Sequence, residues 1–487
     1  MGGRVHQGSL GRLRKLALFV PETILLVLSI ILFFMTVMKK ETAAKCARPF
    51  MIFSGMAVLL GCIYALPVSG SLFYGTYKVD LLSQGFKFII ALAFLFTILF
   101  SDKMIGVPQG RQVEYFFFLF TASLGMMMLT SAAEILTLYI SLELSSYSLY
   151  LLSAIRQDRR NAEASVKYLI FGAAASGIFL WGFSLIAGLS GTTSLLEISK
   201  TAPSLVSNPA FSLGLVLVSF AFLFKLSSFP AHFWAPDVYE SAATPVTNFI
   251  ATASKAAAVA IMIRVFLLLG VSGAFVSILG AVAFISMTLG NCVALVQKDV
   301  KRLLAYSSIA QAGYILLGLL AGSFGGYSSS FFYAFAYVVM NTGAFLVVIL
   351  VAKSLKHDNP QIEHFDGLAE RSPFLALILL LSLLSLAGIP PLLGFTGKWI
   401  LFTSAMEKGH WFLVLWAVIN SVVSLFYYLT IVKHAYLEKP KTSDPLAVPL
   451  SMKALGFCLF FALVFLGIYP NFFVEFAQRA VVTSLAP

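Results

Sequence analysis

Residues 224–236 read FKLSSFPAHFWAP, and residues 385–399 read SLAGIPPLLGFTGKW. Each stretch places prolines and small residues inside a long apolar run, and each carries a lysine, Lys225 in the first and Lys398 in the second. Proline removes a backbone donor and breaks the helical ladder. In lipid, such a break survives only where protein or water satisfies the freed groups. The two stretches therefore predict two discontinuous membrane helices.

The rest of the chain has the composition of a membrane protein. Of its 487 residues, 59% are hydrophobic and 11% are charged, whereas soluble domains carry about 25% charged residues. Apolar runs long enough to cross a bilayer recur from end to end, and no long polar stretch separates them. We therefore predict an all-α polytopic membrane protein that forms one continuous helical bundle.

The apolar runs predict fourteen membrane spans, and thirteen is the alternative count because residues 112–154 are nearly continuous. We number the spans 1 to 14 in chain order. They are predicted at residues 20–38, 49–67, 80–100, 112–130, 134–154, 165–189, 210–232, 244–269, 273–296, 303–322, 328–353, 373–405, 411–437 and 452–470.

The net charge of +12 comes mostly from basic residues in short loops between spans. Alternate loops hold most of these residues, and this pattern predicts that those loops are cytoplasmic and that both termini lie outside. The basic N-terminal stretch, with Arg12 and Arg14, opposes this orientation. Because the charge follows membrane topology, we predict no nucleic-acid partner.

The two broken spans, 7 and 12, lie five spans apart and so run in opposite directions. An inverted repeat that relates spans 4–8 to spans 9–13 would produce this arrangement, and paired broken helices mark transport paths. The alternative is that the prolines only kink ordinary membrane helices. We expect spans 1–3 in residues 1–111, a first half-channel repeat in residues 112–270, a second in residues 271–440 and span 14 in residues 441–487.

Several ionisable residues fall inside predicted spans, and the candidates for a functional role are Glu143 in span 5, Lys225 in span 7, Lys255 in span 8 and Lys398 in span 12. Each charge at a helix centre costs about 2.5–3.5 kcal/mol on insertion scales, so such residues usually mark an ion or proton path. The alternative is a scaffold in which the buried charges only pair with one another.

These residue types suit proton transfer. Burial disfavours the charged form of both lysine and glutamate, so a buried lysine exchanges protons near neutral pH, while a nearby carboxylate opposes the release. Movement of Glu143 relative to Lys225 would then switch proton binding. His232 titrates near neutrality and is predicted to relay protons. Its alternative role is a hydrogen bond to backbone freed near Pro230.

Other polar residues in or near the spans have simpler interpretations. Glu134 is predicted at a membrane interface, and Glu163 and Lys167 as a surface pair four residues apart. Arg264 is long enough to snorkel to an interface but is given no role. Lys87 has no predicted role. The polar residues that open span 10 are expected to hold water or to bond across helices: Tyr306, Ser307, Ser308 and Gln311.

The chain lacks a dinucleotide-binding glycine motif, a P-loop and any cluster of cysteines and histidines. The four cysteines occur singly, at Cys46, Cys62, Cys292 and Cys458. We therefore predict no cofactor and no metal site in this chain, and any redox or hydrolytic energy must come from partner proteins.

Six segments resemble the antiporter-like membrane subunits of the proton-pumping NADH:quinone oxidoreductase, respiratory complex I. The resemblance covers nearly the full length, and PDVY followed by ATASK is typical of the N-type subunit. Sister subunits, membrane hydrogenases and multisubunit sodium/proton antiporters share the wider family. The segments are LELSSYSLY (142–150), EASVKYLIFGAAAS (163–176), FKLSSFPAHFWAPDVYESAATPV (224–246), ATASK (251–255), VKRLLAYSSIAQAGY (300–314) and SLAGIPPLLGFTGK (385–398).

The resemblance implies a role for each candidate residue. Glu143 matches the span 5 glutamate, and Lys225 matches the lysine that this glutamate modulates. Lys255 matches the connecting lysine of span 8, Lys398 the lysine of the output half, and His232 the histidine near the span 7 break. At a further relay position, where some members carry histidine, this chain has Gln311, which puts that step in doubt.

The resemblance also implies a setting. Protons would enter from the cytoplasm, follow a hydrated central axis and leave outside, driven by quinone reduction in partner subunits of a translocase. NADH, FMN, iron–sulfur clusters and quinone are expected in those partners, beside sister antiporter-like subunits, in a bacterial inner (plasma) membrane. The alternatives are a subunit of a sodium/proton antiporter or of a ferredoxin-, deazaflavin- or hydrogen-linked membrane complex.

Overall fold

A computed structural model describes residues 17–37, 40–102, 104–270, 273–440 and 444–484. Within these ranges, thirteen helices are long and apolar enough to cross a membrane. They correspond to the predicted spans 1–11, 13 and 14, and span 12 consists of two shorter helices. The predicted all-helical membrane bundle is confirmed, and we keep the span numbers for the observed helices.

The observed bounds differ from the predicted ones by a few residues at most ends. Spans 1–6 are Val20–Val37, Lys40–Ala65, Leu81–Phe100, Gln112–Ser131, Ile135–Ser153 and Arg159–Ser190. Span 7 is Pro209–Leu226 followed by Trp234–Ser241, and span 8 is Thr244–Phe249, a π-helical turn Ile250–Ser254 and Lys255–Leu269. Spans 9–14 are Gly273–Ala294, Val300–Leu320, Phe324–Leu355, Pro373–Ala387 followed by Leu393–Glu407, Trp411–Leu437 and Leu450–Ile468.

Several short elements were not predicted. An antiparallel hairpin pairs Gly70–Leu72 with Tyr77–Val79 between spans 2 and 3. A helix at Leu195–Leu205 links spans 6 and 7, and Asn471–Thr483 forms a last helix after span 14. Short helical turns complete the chain at Phe73–Gly75, Gln109–Arg111, Ile362–Phe365 and Leu368–Arg371.

Spans 4 and 5 are separate helices, which favours fourteen spans over thirteen. Span 4 ends at Ser131, and Glu134 caps the start of span 5, where its side chain accepts a hydrogen bond from the Thr137 backbone N at 2.9 Å. A side-chain cap of this kind satisfies an amide that has no partner within the helix. Glu134 therefore lies at a span end, as the sequence predicted.

The two breaks share one backbone geometry. Ser227 and Gly388, each the first residue after its half-helix, have left-handed conformations with φ of 60° and 90°. In each break the next residue's amide bonds to the carbonyl five residues back, Ser228 to Leu223 at 2.8 Å and Ile389 to Leu384 at 3.0 Å. The discontinuity of both helices is confirmed. The inverted repeat that it favours stays a prediction.

Side chains of neighbouring helices, and one from the second half of span 7, satisfy backbone groups that the breaks free. In span 7, the Trp234 indole donates to the Phe224 carbonyl at 3.1 Å, and the Phe229 amide donates to Ser286 Oγ at 3.0 Å. In span 12, the side-chain amide of Gln311 donates to the backbone carbonyl of Leu386 at 3.0 Å. The breaks are therefore internal to the bundle, as lipid requires.

The loops lie on two faces of the bundle. We call the face with the lysine- and arginine-rich loops the basic face. It joins loops distant in sequence, for example through Arg156 and Asp358 at 3.0 Å and through Arg302 and Glu240 at 2.8 Å. On the opposite face, the Lys78 ammonium donates to the Ser484 carbonyl at 3.2 Å.

Two basic side chains have acidic partners that the sequence did not predict. The Glu163–Lys167 pair forms at 2.9 Å, but Lys167 also binds Asp237 at 3.1 Å and so ties span 6 to the second half of span 7. Arg264, which the sequence left without a role, does not snorkel. Its guanidinium is buried and binds both carboxylate oxygens of Asp80, at 2.9 and 3.0 Å, because a bidentate ion pair offsets its desolvation.

Asp358 holds the basic face together, so we predict that Asp358→Asn destabilises the fold. Its carboxylate accepts from Thr244 and pairs with Arg156 and the fully buried Lys301. Removing one partner of a buried ion pair costs about 3–5 kcal/mol. Thermal unfolding in detergent checks this, with Glu197→Gln as the control, since its exposed pair with Lys200 contributes at most about 1 kcal/mol. Equal unfolding midpoints for the two variants would contradict the prediction.

Candidate functional site

Lys225 is the last-but-one residue of the first half of span 7, and its side chain is buried. The ammonium donates to the hydroxyls of Ser145 and Ser146, both on span 5. Glu143, one half-turn away on the same helix, accepts from Ser176 of span 6. The described residues hold no direct ion pair between Glu143 and Lys225, so neutral serines bind the lysine while the carboxylate lies nearby.

His232 lies in the span 7 break and faces the basic face. Its ring is buried, and its Nδ1 atom has no hydrogen-bond partner among the described residues. A cavity of about 370 Å³ reaches the ring, and Lys167, Asp237 and Arg302 line its charged mouth. The cavity thus connects the predicted relay histidine to the ion pairs of the basic face.

Lys255 lies at the centre of the bundle, directly after the π-helical turn Ile250–Ser254. Its ammonium is buried and donates to the Ser308 carbonyl at 3.1 Å and to the Ser308 hydroxyl at 2.9 Å. The Tyr337 ring centroid is 6.0 Å from the same nitrogen. π-helical turns often occur at functional sites because they change the direction of the next side chains.

Tyr239 lies between the two lysines. Its buried hydroxyl is near Ser227, which follows Lys225 by two residues, and near Ser308, which binds Lys255, but it has no hydrogen-bond partner among the described residues. The hydroxyls of Ser227 and Ser228 are buried without a partner among the described residues. Buried polar groups of this kind favour ordered water. A polar connection therefore runs from the span 7 break to the centre.

Span 10 continues the polar connection toward span 13. The Ser307 hydroxyl is 2.8 Å from the Tyr428 hydroxyl, and the side-chain Oε1 of Gln311 accepts from the Tyr333 hydroxyl at 2.5 Å. The expectation that these span 10 residues bond across helices is confirmed. Gln311 also has a structural role, because its side-chain amide donates to the Leu386 carbonyl at the break in span 12.

Lys398 lies in the second half of span 12, and its buried ammonium folds back onto the break. It donates to the Ala387 carbonyl at 2.9 Å and to the Ser421 hydroxyl at 2.8 Å. The Tyr314 ring centroid is 4.6 Å away. The freed carbonyl of the broken helix is therefore a ligand of the lysine.

The two break lysines occupy unequal positions. Lys225 precedes the left-handed Ser227 by two residues, whereas Lys398 follows the left-handed Gly388 by ten. Asp237 follows Ser227 by ten residues, so it occupies in span 7 the position that Lys398 occupies in span 12. If spans 7 and 12 are repeats, each half therefore places its lysine on a different side of the break.

The structure buries Lys225, His232, Lys255 and Lys398 inside the bundle, whereas Glu143 is partly exposed at the chain's surface. The hydroxyl groups around these residues were not predictable, because serine and tyrosine are common in membrane helices. They belong to Ser145, Ser146, Ser176, Tyr239, Ser308, Tyr333, Ser421 and Tyr428.

No group of three or more His, Cys, Asp or Glu residues in the described ranges could hold a metal ion. The helical bundle contains buried ion pairs, such as Asp80–Arg264, and three buried lysines with neutral partners, Lys225, Lys255 and Lys398. These features define the class of polytopic membrane proteins that carry ionisable residues through the bilayer.

Comparison with known proteins identifies the family. The model of the NADH:quinone oxidoreductase/Mrp antiporter transmembrane family matches residues 132–424, and the chain belongs to this family. A Syntrophobacter fumaroxidans protein named NADH-quinone oxidoreductase subunit N 2 is 42% identical, over 95% of this chain and 98% of its own length. The predicted relationship is thereby confirmed.

Solved structures of two respiratory membrane complexes contain chains with the same fold. A chain of respiratory complex I from Thermus thermophilus with bound aureothin matches with a TM-score of 0.82 and 31% identity, over 94% of this chain and 99% of its own. A chain of the membrane-bound sulfane sulfur reductase, an archaeal respiratory complex, matches with a TM-score of 0.87 and 25% identity, over 97% and 98%.

Gly388 makes room for Lys398, so we predict that Gly388→Ala destabilises the break more than the backbone alone explains. An added Cβ would lie 3.0 Å from Lys398 Cδ, at a φ of +90°. Gly191→Ala is the matched control, since Gly191 has a φ of +72° and nothing within 4 Å of a Cβ. Left-handed strain costs each variant about 1–2 kcal/mol, and crowding adds about 1–3 kcal/mol to the first alone. Thermal unfolding measures both, and equal losses would show that Lys398 does not depend on Gly388.

Proposed function

We propose that this chain is the N-type, proton-translocating membrane subunit of an NADH:quinone oxidoreductase. Three features support the proposal: the multi-pass helical fold, the family membership, and relatives named as subunit N over almost the whole chain. The chain itself has no redox site in this proposal, and quinone reduction in partner subunits supplies the energy. NADH, FMN, iron–sulfur clusters and quinone belong to those partners.

The observation that carries the proposal is the chemistry around Lys225, Lys255 and Lys398. Each ammonium is buried and binds only neutral oxygens, from serine hydroxyls or backbone carbonyls. No carboxylate lies within 4.0 Å of any of the three in the part of the chain that the structure describes. A buried amine without a counter-charge loses its proton readily, because burial disfavours the charged form. A purely structural scaffold would instead pair such charges.

The proposed path enters at the cavity beside His232 on the basic face, which the charge pattern of the loops makes cytoplasmic. A proton passes from His232 to Lys225 and then through Tyr239 and Ser308 to Lys255. Hydroxyl groups relay protons because each one both donates and accepts. The proton then continues through the polar residues of span 10 to the output half.

Lys398 receives the proton in the output half and releases it to the opposite face. Glu143 controls the input half: when its carboxylate approaches Lys225, the ammonium is stabilised, and when it withdraws, the proton moves on. In this proposal residues 112–270 form the first half-channel and residues 271–440 the second, with spans 1–3 and span 14 outside them. Gln311 orients the path through Tyr333 and carries no proton.

Neighbouring membrane subunits of the same complex are the proposed partners. Glu143 is partly exposed in the isolated chain, so a sister antiporter-like subunit that packs on this side would bury the carboxylate and could act on it. The apolar residues around it, including Ile140 and Tyr147, are exposed in the chain alone and suit either lipid or such a subunit.

We predict that Lys225→Ala, Glu143→Ala and Lys398→Ala each lower coupled proton transport severalfold while the complex still assembles. Each variant removes one proton-binding group and leaves the hydrophobic packing of its span. Transport is measured as acidification or alkalinisation of sealed vesicles that contain the whole complex, with quinone reduction recorded in parallel.

Lys200→Ala is the matched control, because Lys200 is an exposed lysine outside the spans. Normal pumping by both Lys225→Ala and Glu143→Ala would exclude the proposed input half. Normal pumping by Lys398→Ala alone would place the exit elsewhere.

The partners are tested by gentle extraction of the tagged chain from its native membrane and mass spectrometry of the proteins that co-purify. We expect flavin, iron–sulfur and quinone-site subunits in the complex. Recovery of membrane subunits with no redox protein would favour the sodium/proton antiporter, and recovery of a hydrogenase or ferredoxin module would assign the chain to a related complex.

A further inference from the structure

Glu22 of span 1 and Lys87 of span 3 form a buried ion pair that the proposed path does not use. The two groups lie 2.7 Å apart, and both side chains are 0% exposed. The Tyr77 hydroxyl donates to Glu22 Oε1 at 2.8 Å, whereas Oε2 has no partner among the described residues. Apolar residues of similar size would often be more stable at such a site, so the pair points to a function.

A polar stripe leads from this pair to the opposite face. Asp80, Gln84 and Lys87 are spaced four and three residues apart, which places them on one side of span 3. Asp80 and Arg264 line a cavity of about 950 Å³ that opens on this face. Gln84 lies between, with both polar atoms of its buried amide unpartnered in the described part of the chain. The stripe bridges the roughly 10 Å from the cavity to Lys87.

The pair also lies near the depth of the central path. The Asp80–Arg264 ion pair joins spans 3 and 8, which pack against each other in opposite directions. Going from the opposite face toward the bilayer centre, Lys87 lies seven residues from Asp80 along span 3. Along span 8, residue 257 lies seven residues from Arg264 in the same direction, two residues from Lys255. At the helical rise of about 1.5 Å per residue, the two lysines differ little in depth.

The groups around the pair leave its proton free to move. Cys62 of span 2 donates to the Lys87 carbonyl at 3.7 Å, and the Tyr77 ring centroid lies 5.2 Å from the Lys87 ammonium. The Asp80 carboxylate and the Arg264 guanidinium are already paired with each other. In the described ranges, Glu22 is the one carboxylate within 4.0 Å of Lys87. A proton can therefore pass between them without separating charge in a medium of low dielectric constant.

We propose that Glu22 and Lys87 form a proton-exchange site that opens to the opposite face, a release branch through spans 1–3. Lys87 gives its proton to the Glu22 carboxylate, and the neutral carboxyl then releases that proton along the stripe of Gln84 to the cavity that Asp80 and Arg264 line. The neutral Lys87 amine takes the next proton from the central path. The branch rests on the proposed function, which supplies that proton.

The unaltered complex provides the first test. Dicyclohexylcarbodiimide partitions into lipid and reacts with protonated carboxyl groups, and peptide mass spectrometry locates the adduct. In sealed vesicles we expect an adduct on Glu22 whose yield rises when the pH is lowered on the opposite-face side alone. An unlabelled Glu22 beside a labelled Glu143, or a yield that follows only the pH of the basic face, would overturn the proposal.

Lys87→Arg separates proton exchange from ion pairing. Arginine keeps the charge but does not give up its proton, so a purely structural pair tolerates the change while a release branch fails. We expect an assembled complex that moves at least one-third fewer protons per electron, with Lys200→Arg unchanged. Unchanged stoichiometry in Lys87→Arg would overturn the branch.

If the larger guanidinium prevents assembly, the double variant Glu22→Gln/Lys87→Met answers the same question with a neutral pair of similar volume. The same loss supports the branch, and normal stoichiometry overturns it. The two proposals fail differently: impaired Lys225→Ala with normal Lys87→Arg removes only the branch, whereas normal pumping by both removes the central path as well.

Discussion

An unpaired backbone amide or carbonyl in the hydrocarbon core costs several kcal/mol, and the architecture of this chain follows from that cost. The spans are helices because a helix satisfies its own backbone. The two exceptions lie inside the bundle, where Trp234 and Ser286 serve the break in span 7 and Gln311 serves the break in span 12. The freed Ala387 carbonyl becomes a ligand of Lys398, so the broken backbone helps to build the site.

Charge is distributed in two different ways in the same molecule. At the basic face, ion pairs join loops that are far apart in sequence, and Asp358 alone contacts Thr244, Arg156 and Lys301. Along the central line, the lysines have neutral partners. Paired charges at the ends hold the helices in place, whereas unpaired amines in the centre respond to any change in nearby charge. This contrast between paired charges at the basic face and unpaired amines in the centre suits the proposed proton path.

The candidate residues were visible in the sequence because a charge inside an apolar run is rare. Their partners were not visible. Ser308 resembles any other serine in a membrane helix until Lys255 is placed against it. Arg264 pairs with Asp80, 184 residues away, and no local pattern indicates such a contact. The helix Leu195–Leu205 and the last helix Asn471–Thr483 were missed because neither is long and apolar enough to predict a span.

By itself, the sequence determined the helical class, the approximate positions of the spans, the positions of both breaks and the identity of four buried residues, Lys225, His232, Lys255 and Lys398. The length of an apolar run, the spacing of its residues and the positions of its prolines are local properties of the sequence. The lipid environment imposes its requirements on each helix separately. Only the tertiary structure decided which oxygen each ammonium binds and that Glu22 meets Lys87. Those contacts depend on how helices pack and rotate against one another, and packing is set by the whole bundle.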